Sequence, residues 1–251
     1  MKLQLPMLFF GKKKFTPPAD LSWLEADMHS HLIPGIDDGS PDIETSMELI
    51  SGLKDLGYKR LITTPHVLWD MYQNTPEIIN KGLQQVQIEI AEQKLDITIS
   101  AAAEYYIDDH FEGQLAEKEP LLKLKDNWVL VEFSMVTAQM DIQQILFEMQ
   151  IQGYQPIIAH AERYSYLARN KAFYDELRDA GCMFQVNLLS LIGYYGKNVQ
   201  ELAEYLIKKA YYDFAGTDMH NARHLAQLQK VSSSPLLERL KDTGKIKNHL
   251  L

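Results

Sequence analysis

The chain has 251 residues, of which 46% are apolar and 24% charged, a composition that excludes a disordered or fibrous protein. Its formal net charge of −9 excludes a surface built to neutralise nucleic-acid phosphates, so no nucleic-acid partner is expected and any bound phosphate must meet local positive charge. One cysteine, Cys182, rules out an intramolecular disulfide and a thiolate zinc cluster, and it fits a reducing, cytoplasmic setting.

The opening MKLQLPMLFFGKKK carries an apolar stretch too short for a signal-peptide core and lacks a small-residue cleavage site. We read residues 1–23 as an N-terminal extension and residues 24–251 as one domain, because no Pro/Gly/Ser linker divides the longer segment. A membrane-surface contact through Phe9, Phe10 and Lys12 to Lys14 is the alternative role for that extension. No window has the length and apolarity of a transmembrane segment.

Seven apolar runs come next in order: WLEADMHSH, RLITTPH, ITISAAAEYY, NWVLVEF, QPIIAHAER, CMFQVNLLS and YDFAGTDMH. They alternate with longer amphipathic segments, the pattern of βα units around a parallel sheet, so the fold class is α/β. Ser40, Pro41 and Asp42 read as an N-cap, a first-turn proline and a first-turn acid; Thr75, Pro76 and Glu77 repeat that order, and Asn198 to Glu201 resembles a capping box. Ile43, Met47, Ile50 and Leu53 fall on one helix face, as do Ile142, Ile145, Leu146 and Met149 on a later one, and both stripes read as core packing.

Each apolar run ends in a polar residue. His31, His66, Glu104, Glu132, His160, Asn187 and Asp218 succeed one another at intervals of 27 to 38 residues, each the length of one βα unit. In a parallel barrel of such units the strand ends converge on one face, so ligands distant in sequence become neighbours. His29 and His31, two residues apart, project to the same side of a strand, and Asp218 with His220 repeats that spacing. Asp38 comes after the first run in EADMHSHLIPGIDDGSPD, a segment that also has the composition of a turn. Any one of these residues alone reads as a hydrogen-bonded core or loop group. Together they would repel and desolvate one another at high cost without cations. The donors are imidazole and carboxylate only, which suits Zn, Mn or Fe better than Mg, and nine candidates over-fill one ion, so two or three metals are expected. Arg163 and Arg223 lie three residues past His160 and His220 and could clamp phosphate oxygens or simply be solvated. There is no cysteine phosphatase loop, no Walker glycine loop and no GxSxG elbow, which leaves metal-activated water as the chemistry.

The motifs DMHSHLIPGIDDGS, TPH, AAEYY, VEFS, IIAHAERY and TDMHN, in this order from Asp27 to Arg223, resemble the polymerase and histidinol phosphatase (PHP) superfamily. Within it they look like the bacterial protein-tyrosine phosphatases of capsular and exopolysaccharide assembly. The resemblance implies a distorted (β/α)7 barrel of the PHP type with three metals at one face, manganese being the first expectation and Fe or Zn the alternatives. It implies His29, His31, Glu104 and Asp218 on one metal, Asp38, His66 and His220 on a second, and Glu104, Glu132 and His160 on a third, with Asp37 unligated. His160, Arg163 and Arg223 are the implied catalytic residues, and the implied substrate is a phosphotyrosine protein, the tail of a membrane-associated bacterial tyrosine kinase. Tyr105, Tyr106, Tyr194 and Tyr195 are candidates to border the phosphotyrosine ring, with loop packing as their other reading. Two departures stand out: Met1 to Leu24 is extra, and Val67 stands where many members carry a second histidine. The rival readings are a PHP phosphatase of a small phosphomonoester such as histidinol phosphate, an amidohydrolase and a non-catalytic metal-bound scaffold. Glu132, in place of a modified lysine, disfavours the amidohydrolase.

Overall fold

Short runs rich in Val, Ile and Leu become parallel strands in the computed structural model, which describes residues 19–137 and 141–251. Among the described residues nine strands form: β1 (Ala26–Asp27), β2 (Arg60–Thr63), β3 (His66–Val67), β4 (Thr98–Ala101), β5 (Glu104–Tyr106), β6 (Trp128–Glu132), β7 (Gln155–Ile158), β8 (Met183–Asn187) and β9 (Phe214–Gly216). Between them run α1 (Ile43–Asp55), α2 (Pro76–Glu92), α3 (Asp109–Glu117), α4 (Ile142–Ile151), α5 (Ala172–Asp179) and α6 (Lys197–Lys208), and α7 (Ala222–Val231) and α8 (Pro235–Asp242) come after the last strand.

The ladders are all parallel and fall into two sheets, β1-β2-β4 and β3-β5-β6-β7-β8-β9. The runs RLITTPH and ITISAAAEYY are each one strand in the sequence reading, and each is two strands in the structure. Pro65 separates β2 from β3 because it has no N–H for the ladder, and the matching break at Ala102 and Ala103 separates β4 from β5. The sheet curls far enough that its first and last segments meet. Ser30 and Met219 form a parallel bridge, and the Asp218 and His31 amides donate to His29 and Met219 carbonyls at 2.8 and 2.9 Å.

Side-chain alternation divides the interior in two. Val129 and Val131 of β6 and Ile158 of β7 join the large core between sheet and helices. Leu130 and Ile157, one residue out of step, point to the other face and pack with Met28, Phe214 and Leu251 in a smaller cluster, as a period of two requires. Each such fully buried side chain contributes about 1.5–3 kcal/mol. Below this cluster the Asn248 amide donates to the carbonyls of Ala26 and Ala215 at 2.9 and 2.7 Å and accepts from the Ala215 amide.

Two helix starts differ from the sequence reading. The cap of α1 is Asp42, which accepts from the Thr45 amide at 2.8 Å; Ser40 is instead drawn inward, its amide donating to His31 O, so Pro41 precedes the helix. Helix α6 starts at Lys197 after Gly196 without a side-chain cap, leaving Asn198 inside it. Thr75 caps α2 with Pro76 in its first turn, as expected. Ala19, Leu21 and Leu24 are buried in the large core, and the Leu21 amide donates to Leu56 O at 2.8 Å, so the chain packs into the fold from Ala19 onward. Phe9, Phe10 and Lys12 to Lys14 lie outside the described residues. Among the described residues no helix is long and apolar enough to cross a membrane.

Candidate metal centre

The strand ends carry the candidate ligands to one place, and the backbone bends sharply to do so. His160, just after β7, has φ +31°, and Asp218, just after β9, has φ +50°. Both are non-glycine residues in the left-handed region, where strain of about 1–3 kcal/mol is held by surrounding structure and clusters at functional sites. The loop from Gly35 to Ser40 folds back over His31: the Ser40 amide donates to His31 O at 3.1 Å. A Cβ on Gly39 would stand 2.3 Å from that oxygen, so only glycine allows the approach.

His29 Nε2 lies 3.1 Å from Glu104 Oε2 and 3.3 Å from Asp218 Oδ1. His31 Nε2 is 3.4 Å from both carboxylates and 3.3 Å from His29 Nε2. His66 Nε2 and His220 Nε2 each stand 3.4 Å from Asp38 Oδ1. His160 Nε2 is 3.0 Å from Glu104 Oε1 and 3.7 Å from Glu132 Oε2. All nine expected ligands therefore meet in one cluster, with His29, His31 and Glu104 fully buried. They form four overlapping groups whose donor atoms lie within 4.8 Å of one another: His31 with Asp38, His66 and His220; His29 with His31 and Glu104; His29 with His160 and Asp218; and His66 with Glu104 and Glu132. The grouping differs in part from the one implied by resemblance, since His160 gathers with His29 and Asp218 while His66 also reaches Glu104 and Glu132.

The donor set fits cations. His31 Nδ1 sits 2.8 Å from Asp37 Oδ2, so in the neutral ring the proton stays on Nδ1 and the Nε2 lone pair points into the cluster. His66 Nδ1 lies 3.2 Å from Glu104 Oε2 and 3.1 Å from Glu132 Oε1, yet neither His66 Nδ1 nor Glu104 Oε2 makes a directed hydrogen bond. Buried donors that are close but misaligned are what an ion between them would require. Electrostatics agree. Burial works against the charged form of His66, but Glu104 and Glu132 together outweigh it and raise the pKa to about 9. Burial likewise opposes ionisation of Glu104 and Asp218, and the surrounding imidazoles overcome it and hold both carboxyls well below the usual range.

Asp37 supports two of these histidines from beside the cluster: besides His31 it accepts from the His66 amide at 3.1 Å, and against the cost of burial the His31 ring depresses its pKa to about 2. Arg163 sits in the cavity wall, donating to Asp218 Oδ2 at 2.8 Å with its guanidinium 4.5 Å from the Tyr195 ring centre. Asp218 Oδ2 also accepts from Asn187 Nδ2 at 2.9 Å, which leaves Oδ1 for the cluster. Arg223 is placed differently: it is exposed on the first turn of α7, outside the residues lining the cavity. The next residue, His224, lines that cavity and donates from Nδ1 to Asp218 O at 3.1 Å. Sequence reasoning passed over His224, although HNARH shows a histidine four residues past His220, one helical turn away. Of the four candidate tyrosines, Tyr106 and Tyr195 line the cavity. Tyr105 is buried, its hydroxyl accepting from the Leu122 amide, and Tyr194 packs edge-on against Tyr195. Tyr72, not singled out in the sequence, stacks on His66 at 5.7 Å. Cys182 is buried, and burial lifts its thiol to about 11, consistent with an inert core residue.

The cavity over the cluster has a volume of about 460 Å³. The chain is 28% identical over 198 residues to the tyrosine-protein phosphatase YwqE of Bacillus subtilis, covering 78% of each. It is 32% identical over 202 residues to the tyrosine-protein phosphatase CpsB of Streptococcus pneumoniae, covering 78% of this chain and 82% of that protein. A solved structure from work on YwqE and CpsB, described as metal-dependent tyrosine phosphatases, superposes with a TM-score of 0.75 at 26% identity, over 86% of this chain and 91% of the other. A histidinol phosphate phosphatase from Lactococcus lactis shares the fold, with a TM-score of 0.51 at 14% identity over 90% and 94% of the two chains. Residues 25–238 match the family described as capsular polysaccharide synthesis, CpsB/CapC, and the chain belongs to that family.

Proposed function

We propose that this chain is a metal-dependent protein-tyrosine phosphatase. Its nine ligands, His29, His31, Asp38, His66, Glu104, Glu132, His160, Asp218 and His220, would hold two or three divalent ions, manganese first and Fe or Zn as alternatives. The observation that carries the reading is the packing of imidazoles and buried carboxylates within ion-pair distance of one another on the floor of an open cavity. We further infer that the βα units close as a distorted (β/α)7 barrel, supported by the bridge between Ser30 and Met219.

When bound, the ions supply Lewis-acid polarisation of the phosphoryl oxygens and a nucleophile from water at neutral pH. The chain supplies the remainder. Arg163, fixed by Asp218 and Tyr195, offers a pre-positioned guanidinium to the charge that grows on the phosphoryl oxygens. Arg223 acts as a peripheral cation at the same face. Tyr72, Tyr106, Leu68 and Met135 provide an aromatic and apolar wall above the cluster, suited to a phenyl ring rather than to an imidazole-bearing alcohol. A tyrosyl oxygen leaves with a pKa near 10, so it needs less protonation than an alkyl alcohol. The proposed physiological substrate is the tyrosine-bearing tail of a membrane-associated bacterial tyrosine kinase, met in the cytoplasm.

The test is phosphate release from a phosphotyrosine peptide by the manganese-loaded protein, by a chelated control, and from histidinol phosphate in parallel. Metal-dependent turnover of the peptide well above that of histidinol phosphate is expected. The reverse preference would move the assignment to a small-molecule phosphatase. No release from any phosphotyrosine substrate by metal-loaded protein would leave a binding scaffold.

A further inference from the structure

Gln185 lies on β8 with its side chain wholly buried, and its amide meets three partners. Oε1 accepts from the His160 backbone amide at 2.8 Å, Nε2 donates to the Val186 carbonyl at 2.7 Å, and His29 Nδ1 stands 3.0 Å from Oε1. Two of these partners are backbone groups, one only a donor and the other only an acceptor. A flipped amide would set its NH2 against the His160 N–H and its oxygen against the Val186 carbonyl, so the main chain fixes its orientation. With Oε1 towards His29, a neutral His29 ring carries its proton on Nδ1. The Nε2 lone pair is then left facing His31, Glu104 and Asp218.

We propose that Gln185 is the positioning residue of the metal centre: one amide sets the tautomer of His29 and at the same time anchors the backbone of His160. His160 is among the ligands with strained backbone, at φ +31°, and the bond from its N–H to Gln185 holds it there. Space for the arrangement comes from Gly216, where a Cβ would stand 2.8 Å from His29 Cβ and 2.9 Å from Gln185 Nε2. Supports of this kind act through the ligand they orient, and their loss typically costs tenfold to a hundredfold in metal affinity. Because Gln185 serves His29 and His160 together, its removal weakens the ligand groups that contain them and spares the Asp38, His66 and His220 group.

The inference rests on the reading of the cluster as a metal centre, and its test separates the two. In the zinc-loaded wild-type protein, 15N NMR of the imidazoles should show His29 protonated at Nδ1 and metal-bound at Nε2. A His29 bound through Nδ1 overturns the inference, and a wild-type protein that binds no metal overturns the metal-centre reading with it. Chelator competition on Gln185→Met, of similar shape but without the amide, should show affinity lowered about tenfold to a hundredfold for part of the bound metal only. In Gln185→Glu the carboxyl keeps an acceptor oxygen for the His29 Nδ1–H and the His160 N–H, the support that carboxylates commonly give a metal-bound histidine, and it is expected to restore affinity. A folded Gln185→Met protein with wild-type affinity, or a folded Gln185→Glu protein no better than Gln185→Met, overturns the inference.

Discussion

The inward faces of the strands change character along the sheet. At one end Leu130, Ile157 and Phe214 form a dry apolar cluster; at the other His29, Glu104 and His160 are equally buried but polar and mutually charged. The first end is stabilised by removing hydrocarbon from water. The second is costly to assemble, with strained backbone at His160 and Asp218 and carboxylates that burial alone would neutralise. Stability and chemistry are thus separated within one continuous interior, and substitutions at the two ends should fail in different ways.

The largest effect is expected at the polar end. Asp218→Ala or His160→Ala should lower turnover of a phosphotyrosine peptide by about a thousandfold while circular dichroism shows a folded protein. Leu130→Ala should do the opposite, costing about 2–5 kcal/mol in denaturant unfolding with kcat per folded molecule unchanged. If both kinds of variant lost activity and stability together, the separation would be wrong. Arg163→Ala should reduce kcat/KM by about a hundredfold. Arg223→Ala, at an exposed site, should cost no more than about fivefold, the scale of a screened surface charge. Equal losses at the two arginines would place Arg223 at the phosphate as well.

The smallest effect concerns pH. His66 in the metal-free protein is raised to about 9, because Glu104 and Glu132 together outweigh the cost of burial, against about 6.5 in an unfolded chain. Its protonated form therefore adds stability that is fully present below about 6.5 and is lost as pH rises through about 9. Thermal unfolding of chelated protein should show Tm falling across that window, and His66→Gln should flatten the profile. Metal binding must displace the same proton, so affinity should rise with pH over this range; a pH-independent affinity would contradict the arrangement.

Much of this is legible in the sequence because it is periodic. Strand alternation places the apolar runs, and the polar residues at and around the end of each run mark all nine members of the cluster. Other features depend on geometry that spacing does not encode. Pro65 splits a run that hydrophobicity reads as one strand, and the helix cap moves from Ser40 to Asp42 because the Gly39 turn pulls Ser40 onto His31. Arg223 and His224 are neighbours in sequence, but only the second lines the cavity, a distinction that adjacency in the chain does not carry. Gln185 sits in an apolar run where a buried amide looks like packing until its three partners are seen.

The Asn248 amide joins Ala26 to Ala215, and it bonds Ala26 across 222 positions of sequence. During synthesis everything from Ala26 to Asn248 must therefore have left the ribosome before strand β1 finds this support. His29 and His31 emerge long before Asp218 and His220, and a nascent chain holds half a ligand set while the rest is still being made. Closure across such a span is expected to be slow. Assembly of the full donor set is then a late event, coupled to the arrival of residues 218 to 248 rather than to the appearance of the first histidines.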